Sequence, residues 1–203
     1  MDASILIPAF VTLFVIIDPI GLAPLFVALT AGMDNRARRR VAIRACVVAL
    51  GLLTLFGLAG EAVLAFLGIS MPAFRIAGGI LLFLTALDML FERRTERRQG
   101  QADTPADDPS VFPLAIPLIA GPGSIATMIL LTGQDGSVAH IALIHAVMFA
   151  VIACVFTLFL MAAPLERLLG PTGINVVTRL LGMLLAALSV QFVIDGLQDL
   201  QVL

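Results

Sequence analysis

Two short segments of this chain combine helix-breaking residues with polar groups inside otherwise apolar sequence. The first runs from Asp18 to Pro24 (DPIGLAP), and the second runs from Pro117 to Ser124 (PLIAGPGS). Proline removes a backbone donor and clashes with the preceding turn, whereas glycine tolerates non-helical dihedral angles. Each segment therefore predicts a broken helix, in which several backbone N–H and C=O groups lose their helical partners.

Backbone groups freed by such breaks can bind a charged ligand. The N-terminus of a half-helix offers N–H donors and a positive dipole end to an anion, while freed carbonyls suit a cation or an ammonium group. A small zwitterion would find partners at both, and the Ser124 and Thr127 hydroxyls would add donors. A pair of proline kinks that only shape packing is the alternative. The candidate substrate-binding residues are Asp18, Pro19, Gly21, Pro24, Pro117, Gly121, Pro122, Gly123, Ser124 and Thr127.

Asp18 is the acidic group of the first segment and lies deep within an apolar run. An ionisable residue at such a depth is a functional candidate because its insertion into hydrocarbon is costly. It would bind the substrate ammonium, carry a coupling proton, or only cap the half-helix that begins at Pro19. Gly121 occupies the matching position of the second segment, so the pair of segments contains a single acid.

The elements that position these segments are predicted to be transmembrane helices. The chain is 60% hydrophobic and 13% charged, with a mean hydropathy of +1.08, whereas a soluble domain carries about 25% charged residues. A net charge of −2 and two isolated cysteines argue against a nucleic-acid-binding protein and a disulfide scaffold. No metal or cofactor is expected. The predicted spans are 4–29, 41–66, 72–91, 111–132, 139–164 and 176–197.

The distribution of arginine predicts the orientation of these spans. All twelve basic residues are Arg, and most of them lie between spans one and two, after span three, or after span five. The positive-inside rule places these three loops in the cytoplasm. We therefore expect a multi-pass membrane protein with both termini on the side opposite the cytoplasm.

An internal duplication is visible at an offset of 103 to 105 positions. It aligns Pro8 with Pro113, Pro19 with Pro122, and Glu61 with Glu166. Because each copy holds three spans, the second would cross the membrane in the opposite sense, as in many secondary transporters. The predicted fold is all-α, with six transmembrane helices in two inverted three-helix repeats (1–91 and 111–203), a cytoplasmic linker (92–110), and helices one and four broken near the midplane.

The duplication also pairs four charged residues near opposite membrane faces. Arg75 and Arg179 occupy equivalent positions at the starts of spans three and six, and Glu61 and Glu166 are equivalent to each other. We interpret them as gating or ion-pair residues, with Glu61–Arg75 and Glu166–Arg179 as the expected pairs. Arginines that reach the membrane surface from each helix end are the alternative.

The sequence resembles the MarC family of bacterial inner-membrane proteins. The similarity covers nearly the whole chain apart from the linker. It is carried by DPIGLAPLF (18–26), RIAGGILLFLTALDML (75–90), PLAIPLIAGPGSI (113–125) and RLLGMLLAALSVQFVIDGL (179–197). The family is similar to the LysE-type exporters and includes a group described as transporters of small neutral amino acids. The resemblance therefore implies transport, with glycine or alanine as the model substrate. It also implies a location in the bacterial inner membrane, which would place both termini in the periplasm.

These observations predict a membrane transporter and not an enzyme. It would move a small neutral amino acid by alternating access, coupled to H+ or Na+. A channel, an exporter of another small metabolite and a non-transporting scaffold stay open as alternatives. A membrane thiol oxidoreductase would need cysteines beside the prolines of spans one and four, where there are none. The expected partners are the substrate and the lipid bilayer, with no nucleic acid, and oligomer formation stays open.

Overall fold

The fold consists of helices long and apolar enough to cross a membrane. The computed structural model describes residues 3–91, 93 and 108–200, excluding the side chains of residues 3, 4 and 166. Within these ranges every regular element is a helix, which confirms the predicted all-α class. Five spans and one bent helix pair pass the length and hydropathy requirements of a membrane crossing, so the described chain has six such segments. The helices are α1 (Ala3–Ile17), α2 (Pro19–Leu29), α3 (Asn35–Phe66), α4 (Met71–Leu90), α5 (Ser110–Ile119), α6 (Pro122–Thr132), α7 (Val138–Leu160) and α8 (Ala162–Asp199).

The first span is interrupted at one residue without a large bend. Asp18 separates α1 from α2 and adopts left-handed dihedrals, with φ 55° and ψ 64°. Backbone hydrogen bonding nevertheless continues on both sides, because Asp18 N donates to Phe14 O at 2.9 Å and Leu22 N donates to Asp18 O at 3.0 Å. Residues Ile5–Leu29 consequently form one 25-residue span.

The fourth span is broken far more strongly. Its first half, α5, is a π-helical segment in which Phe112 and Ile116 have extended dihedrals, each preceding a proline. The residue before a proline is driven towards extended backbone, so the sequence explains both positions. Its second half, α6, begins at Pro122 and meets α5 at 54°. Both predicted helix breaks are thus present, and they differ in form.

The two broken spans lie between two pairs of long helices, α3 with α7 and α4 with α8. Helix α6 packs against α3 and α4, while α2 packs against α7 and α8. Along the α4–α8 interface, Gly79, Gly182 and Gly196 lie against the facing helix so closely that a Cβ atom would come within 3 Å of it. Small residues permit this approach in membrane helices, where packing drives association.

Several boundaries differ from the sequence prediction for local reasons. Helix α3 begins at Asn35 and not at 41, because the Asp34 carboxylate accepts a hydrogen bond from Ala37 N at 2.7 Å. The Arg cluster after the first span therefore lies on helix α3. Helix α8 begins at Ala162 and is kinked at Gly170, where φ is 63°. Most of the predicted linker, residues 92 and 94–107, lies outside the described residues.

Candidate functional site

Asp18 is fully buried at the interruption of the first span, with no exposed surface. Its carboxylate accepts a hydrogen bond from Gly21 N at 3.0 Å and so caps the first turn of α2. Pro19 occupies the first position of α2, where a missing N–H costs nothing. The local sequence therefore explains both the break and its cap, and it places an acid inside the protein.

The second break has a glycine where the first has Asp18. Gly121 is the N-cap residue of α6, and no side chain in the described part of the protein caps this helix. A Cβ atom on Gly121 would lie 2.3 Å from Pro117 O, so only glycine fits there. The N-terminus of α6 thus has no side-chain cap from the described residues, and its dipole favours an anion.

Two hydroxyls of α6 bond to the backbone around this break. Ser124 Oγ lies 2.7 Å from Ile119 O and 3.0 Å from Gly121 O, and its proton can serve either carbonyl. Thr127 Oγ1 donates to Gly123 O at 2.9 Å. Both residues are buried. Ser124 therefore satisfies a carbonyl that the end of α5 leaves without a helical partner.

The tertiary structure brings the two breaks into contact. A Cβ atom on Gly123, two residues into α6, would lie 3.4 Å from Ile16 Cγ2, near the end of α1. It would also lie 3.3 Å from Leu82 Cδ2 of α4. In this conformation, side chains of α1 and α4 therefore approach Gly123 closely.

The remaining predicted binding residues differ in exposure. Pro19 and Gly121 are buried, whereas Pro122 is exposed on the surface. The others are half-buried and line the two breaks without a side-chain polar group: Gly21, Pro24, Pro117 and Gly123. The polar side chains at the candidate site are consequently those of Asp18, Ser124 and Thr127.

The four predicted gating or ion-pair residues differ in position. Arg75 lies near the start of α4, as predicted, whereas Arg179 lies near the middle of α8 and not at its start, because α8 begins at Ala162. Arg75 forms an ion pair with Asp199 at the end of α8, a partner that the sequence analysis missed. Long-range antiparallel packing of α4 on α8 explains it. Glu61 and Arg179 are exposed, and the side chain of Glu166 lies outside the described residues.

A further polar residue, His145, lies where α3, α6 and α7 meet. Its Nδ1 lies 2.7 Å from Ile141 O, and its buried Nε2 has no hydrogen-bond partner among the described residues. A Cβ atom on Gly57 would lie 2.9 Å from both His145 Nε2 and Met128 Cε. Nothing in the local sequence around His145 signals its contact with Gly57.

The breaks and spans occur in both of the long described ranges, and the similarity to known proteins extends over nearly the whole chain. Residues 3–201 match the family of MarC integral membrane proteins. The chain belongs to the MarC family. This confirms the resemblance carried by the two breaks and by the sequences of α4 and α8.

Relatives of this MarC-family chain occur in distant organisms. A UPF0056 membrane protein of Archaeoglobus fulgidus is 37% identical over 199 residues, which cover 97% of this chain and 93% of the relative. The UPF0056 membrane protein YhcE of Escherichia coli K12 is 32% identical, covering 98% and 94%. The UPF0056 inner membrane protein YhgN of the same strain is 36% identical, covering 95% and 96%. No solved structure matches the chain.

Proposed function

We propose that this integral membrane protein is a secondary transporter of a small neutral amino acid and not an enzyme. The observation that carries the proposal is the unlike pair of half-helix N-termini at touching breaks. Helix α2 begins with the buried carboxylate of Asp18, whereas α6 begins with Gly121 and has no side-chain cap from the described residues. An ammonium group suits the first terminus and a carboxylate suits the second.

The substrate class follows from the opposite charge preferences of the two helix N-termini. A zwitterion carries both charges on one small molecule, so it could satisfy both termini together. The close contact of Gly123 with Ile16 and Leu82 leaves little room for a large side chain. Glycine and alanine are therefore the proposed substrates, in agreement with the resemblance to small neutral amino acid transporters.

Alternating access would explain how the fully buried carboxylate of Asp18 can meet a substrate. Asp18 has no exposed surface in this conformation, so transport requires states in which the contact between Ile16 and Gly123 opens. Helix α2 belongs to the first half of the chain and packs on α7 and α8 of the second half. Helix α6 belongs to the second half and packs in the same way on α3 and α4 of the first half. This reciprocal packing supports the proposed inverted repeat, in which one half would move against the other.

The Arg-rich ends of the helices support an orientation. We propose that the start of α3 and the end of α7 face the cytoplasm and that both termini face the periplasm, because arginine accumulates on cytoplasmic segments. The Arg75–Asp199 ion pair would then lie at the periplasmic end of the α4–α8 pair.

The Asp18→Asn variant tests the role of the carboxylate. Asparagine also tolerates left-handed dihedrals and accepts a hydrogen bond at an N-cap, so α2 should fold as before, but it cannot ionise. Counterflow of labelled alanine in proteoliposomes should remain measurable in the variant while its dependence on pH disappears. Retention of the wild-type pH profile would remove Asp18 from the coupling role.

The same proteoliposomes distinguish the alternative functions. Saturable counterflow that unlabelled glycine inhibits supports a carrier. Flux that does not saturate and shows no counterflow would indicate a channel, and absence of flux for a panel of small metabolites would indicate a scaffold. Imposed H+ and Na+ gradients, applied separately, identify the coupling ion.

A further inference from the structure

A cavity of about 360 Å³ opens beside the Arg-rich start of α3. It lies where α2 has ended, where α3 begins at Asn35, and where α7 ends at Leu160. Three candidate membrane spans end at this cavity, and the ends of spans are expected at the level of the lipid headgroups. The cavity is lined by Phe26, Asn35, Arg38, Arg39, Phe159, Leu160 and Ala163.

Arg38 is held in place at this cavity by neutral groups. Its Nε donates to Thr30 Oγ1 at 3.1 Å, and its guanidinium carbon lies 5.8 Å from the centre of the Phe26 ring. Thr30 is fixed in turn by donating from Oγ1 to Phe26 O at 2.7 Å. Neither contact neutralises the charge, and the terminal guanidinium nitrogens can still donate.

Another arginine of the same helix has an acidic partner, in contrast to Arg38. Arg44 forms an ion pair with Asp108 at a second cavity, on another side of α3, which Arg40 also lines. Within the described ranges Arg38 and Arg39 have no such carboxylate. Two positive charges thus line the first cavity without an anion from that part of the protein.

The other wall of this cavity is apolar. The rings of Phe26 and Phe159 are stacked with their centres 4.4 Å apart, and the neighbouring Leu160 and Met161 are half exposed, at 50% and 52%. A ligand that fits must combine an anionic head with hydrocarbon. Guanidinium groups bind phosphate through two N–H donors, and basic pockets between transmembrane helices suit anionic headgroups.

We propose that this cavity binds the phosphate of an anionic phospholipid, with Arg38 and Arg39 as the phosphate ligands and the acyl chains along Leu160 and Met161. Thr30 is a positioning residue, since it holds the Arg38 side chain. The binding of a structural lipid is independent of the transported substrate, so it stands whether or not the protein is a carrier.

Native mass spectrometry of the full chain in a neutral detergent tests the proposal. We expect phosphatidylglycerol to bind more tightly than phosphatidylcholine with the same acyl chains. The double variant R38Q/R39Q should raise the phosphatidylglycerol Kd by about tenfold or more, because it removes charged hydrogen bonds. The matched control R36Q/R40Q also removes two positive charges from the first turns of α3, and it should change this Kd by about twofold or less.

Each other outcome overturns the assignment. Equal losses in the two double variants would indicate diffuse attraction to the helix, and equal binding of phosphatidylcholine would remove the anionic headgroup. Displacement of phosphatidylglycerol by millimolar inorganic phosphate would identify free phosphate as the occupant. If R38Q/R39Q does not fold, Thr30→Val decides, because it keeps the charge and should weaken phosphatidylglycerol binding severalfold; an unchanged Kd contradicts the proposal.

Discussion

Single residues at the two breaks determine whether the first N–H groups of the following helix have a side-chain partner. Asp18 provides one for α2, and Gly121 provides none for α6. A helix that starts inside a membrane protein must satisfy its first N–H groups, since unsatisfied backbone groups are costly in an apolar environment. Asp18 does this for α2 with its own carboxylate. Gly121 cannot do it for α6, and the collision of any Cβ with Pro117 O keeps the position a glycine.

The Gly121→Ala variant tests this constraint. The added methyl group would lie 2.3 Å from a backbone oxygen, so α5 and α6 must move apart. We expect a loss of about 1–3 kcal/mol of stability, typical of overpacking. Thermal unfolding in detergent provides the measurement.

Gly51→Ala is the matched control, because a Cβ at Gly51 meets no atom within 4 Å. It should keep the wild-type unfolding midpoint or raise it slightly, since alanine favours a helix more than glycine does. Equal effects of the two substitutions would show that the break at Gly121 has no special packing.

Among the helices, α5 is held at its start by Asp108, a residue that precedes the helix. Ser110 donates to Asp108 Oδ1 twice, from its backbone N at 3.0 Å and from its Oγ at 2.6 Å. Arg44 of α3 adds an ion pair. These contacts lower the pKa of Asp108, with the Ser110 hydrogen bonds as the largest cause and the Arg44 charge as a smaller one. The charged carboxylate thus joins α5 to α3.

The pH dependence of stability follows from this lowered pKa. Because the folded pKa lies below the unfolded one, the contribution of Asp108 is complete above the unfolded value and is lost as the pH falls through the folded value. Unfolding midpoints measured from about pH 6 to about pH 3 should therefore fall less in Asp108→Asn than in the wild type.

Variants of Ser110 and Arg44 test which contact contributes more to the lowered pKa of Asp108. Ser110→Ala should reduce this acid dependence more than Arg44→Gln does, because it removes the hydroxyl hydrogen bond, which is the largest cause of the lowered pKa, while the backbone N–H of residue 110 still donates. The reverse order would assign the main role to the ion pair. An unchanged slope in Asp108→Asn would mean that other carboxylates govern acid unfolding.

In the complete fold, the broken spans lie between the α4–α8 pair on one side and α3 with α7 on the other. The α4–α8 pair is closely packed through glycines and tied at one end by Arg75 and Asp199. Helices α3 and α7 lie on the other side of the breaks. This arrangement can keep the outer helices rigid while the contact between Ile16 and Gly123 opens.

The proposed orientation can be tested by labelling single cysteines. In a background with Cys46 and Cys154 replaced by serine, Gly136→Cys lies in the exposed turn between α6 and α7, and Arg36→Cys lies at the exposed start of α3. A membrane-impermeant maleimide should label the first variant in intact cells and the second only in opened membranes. The opposite pattern would reverse the topology.

The sequence by itself determined which segments cross the membrane and where the helices break. Apolar length, proline and glycine act within a few residues, so local energetics alone places the breaks at Asp18 and before Pro122. The same local rules could not tell that the first break keeps its hydrogen bonds and direction while the second bends by 54°.

The tertiary structure alone decided which distant groups meet. It brought Gly123 to Ile16 and Leu82, paired Arg75 with Asp199, and placed Gly57 against His145. These contacts join residues 41 to 124 positions apart, and they depend on how whole helices pack. Packing in lipid is governed by shape complementarity along entire helix faces, which no short sequence window contains.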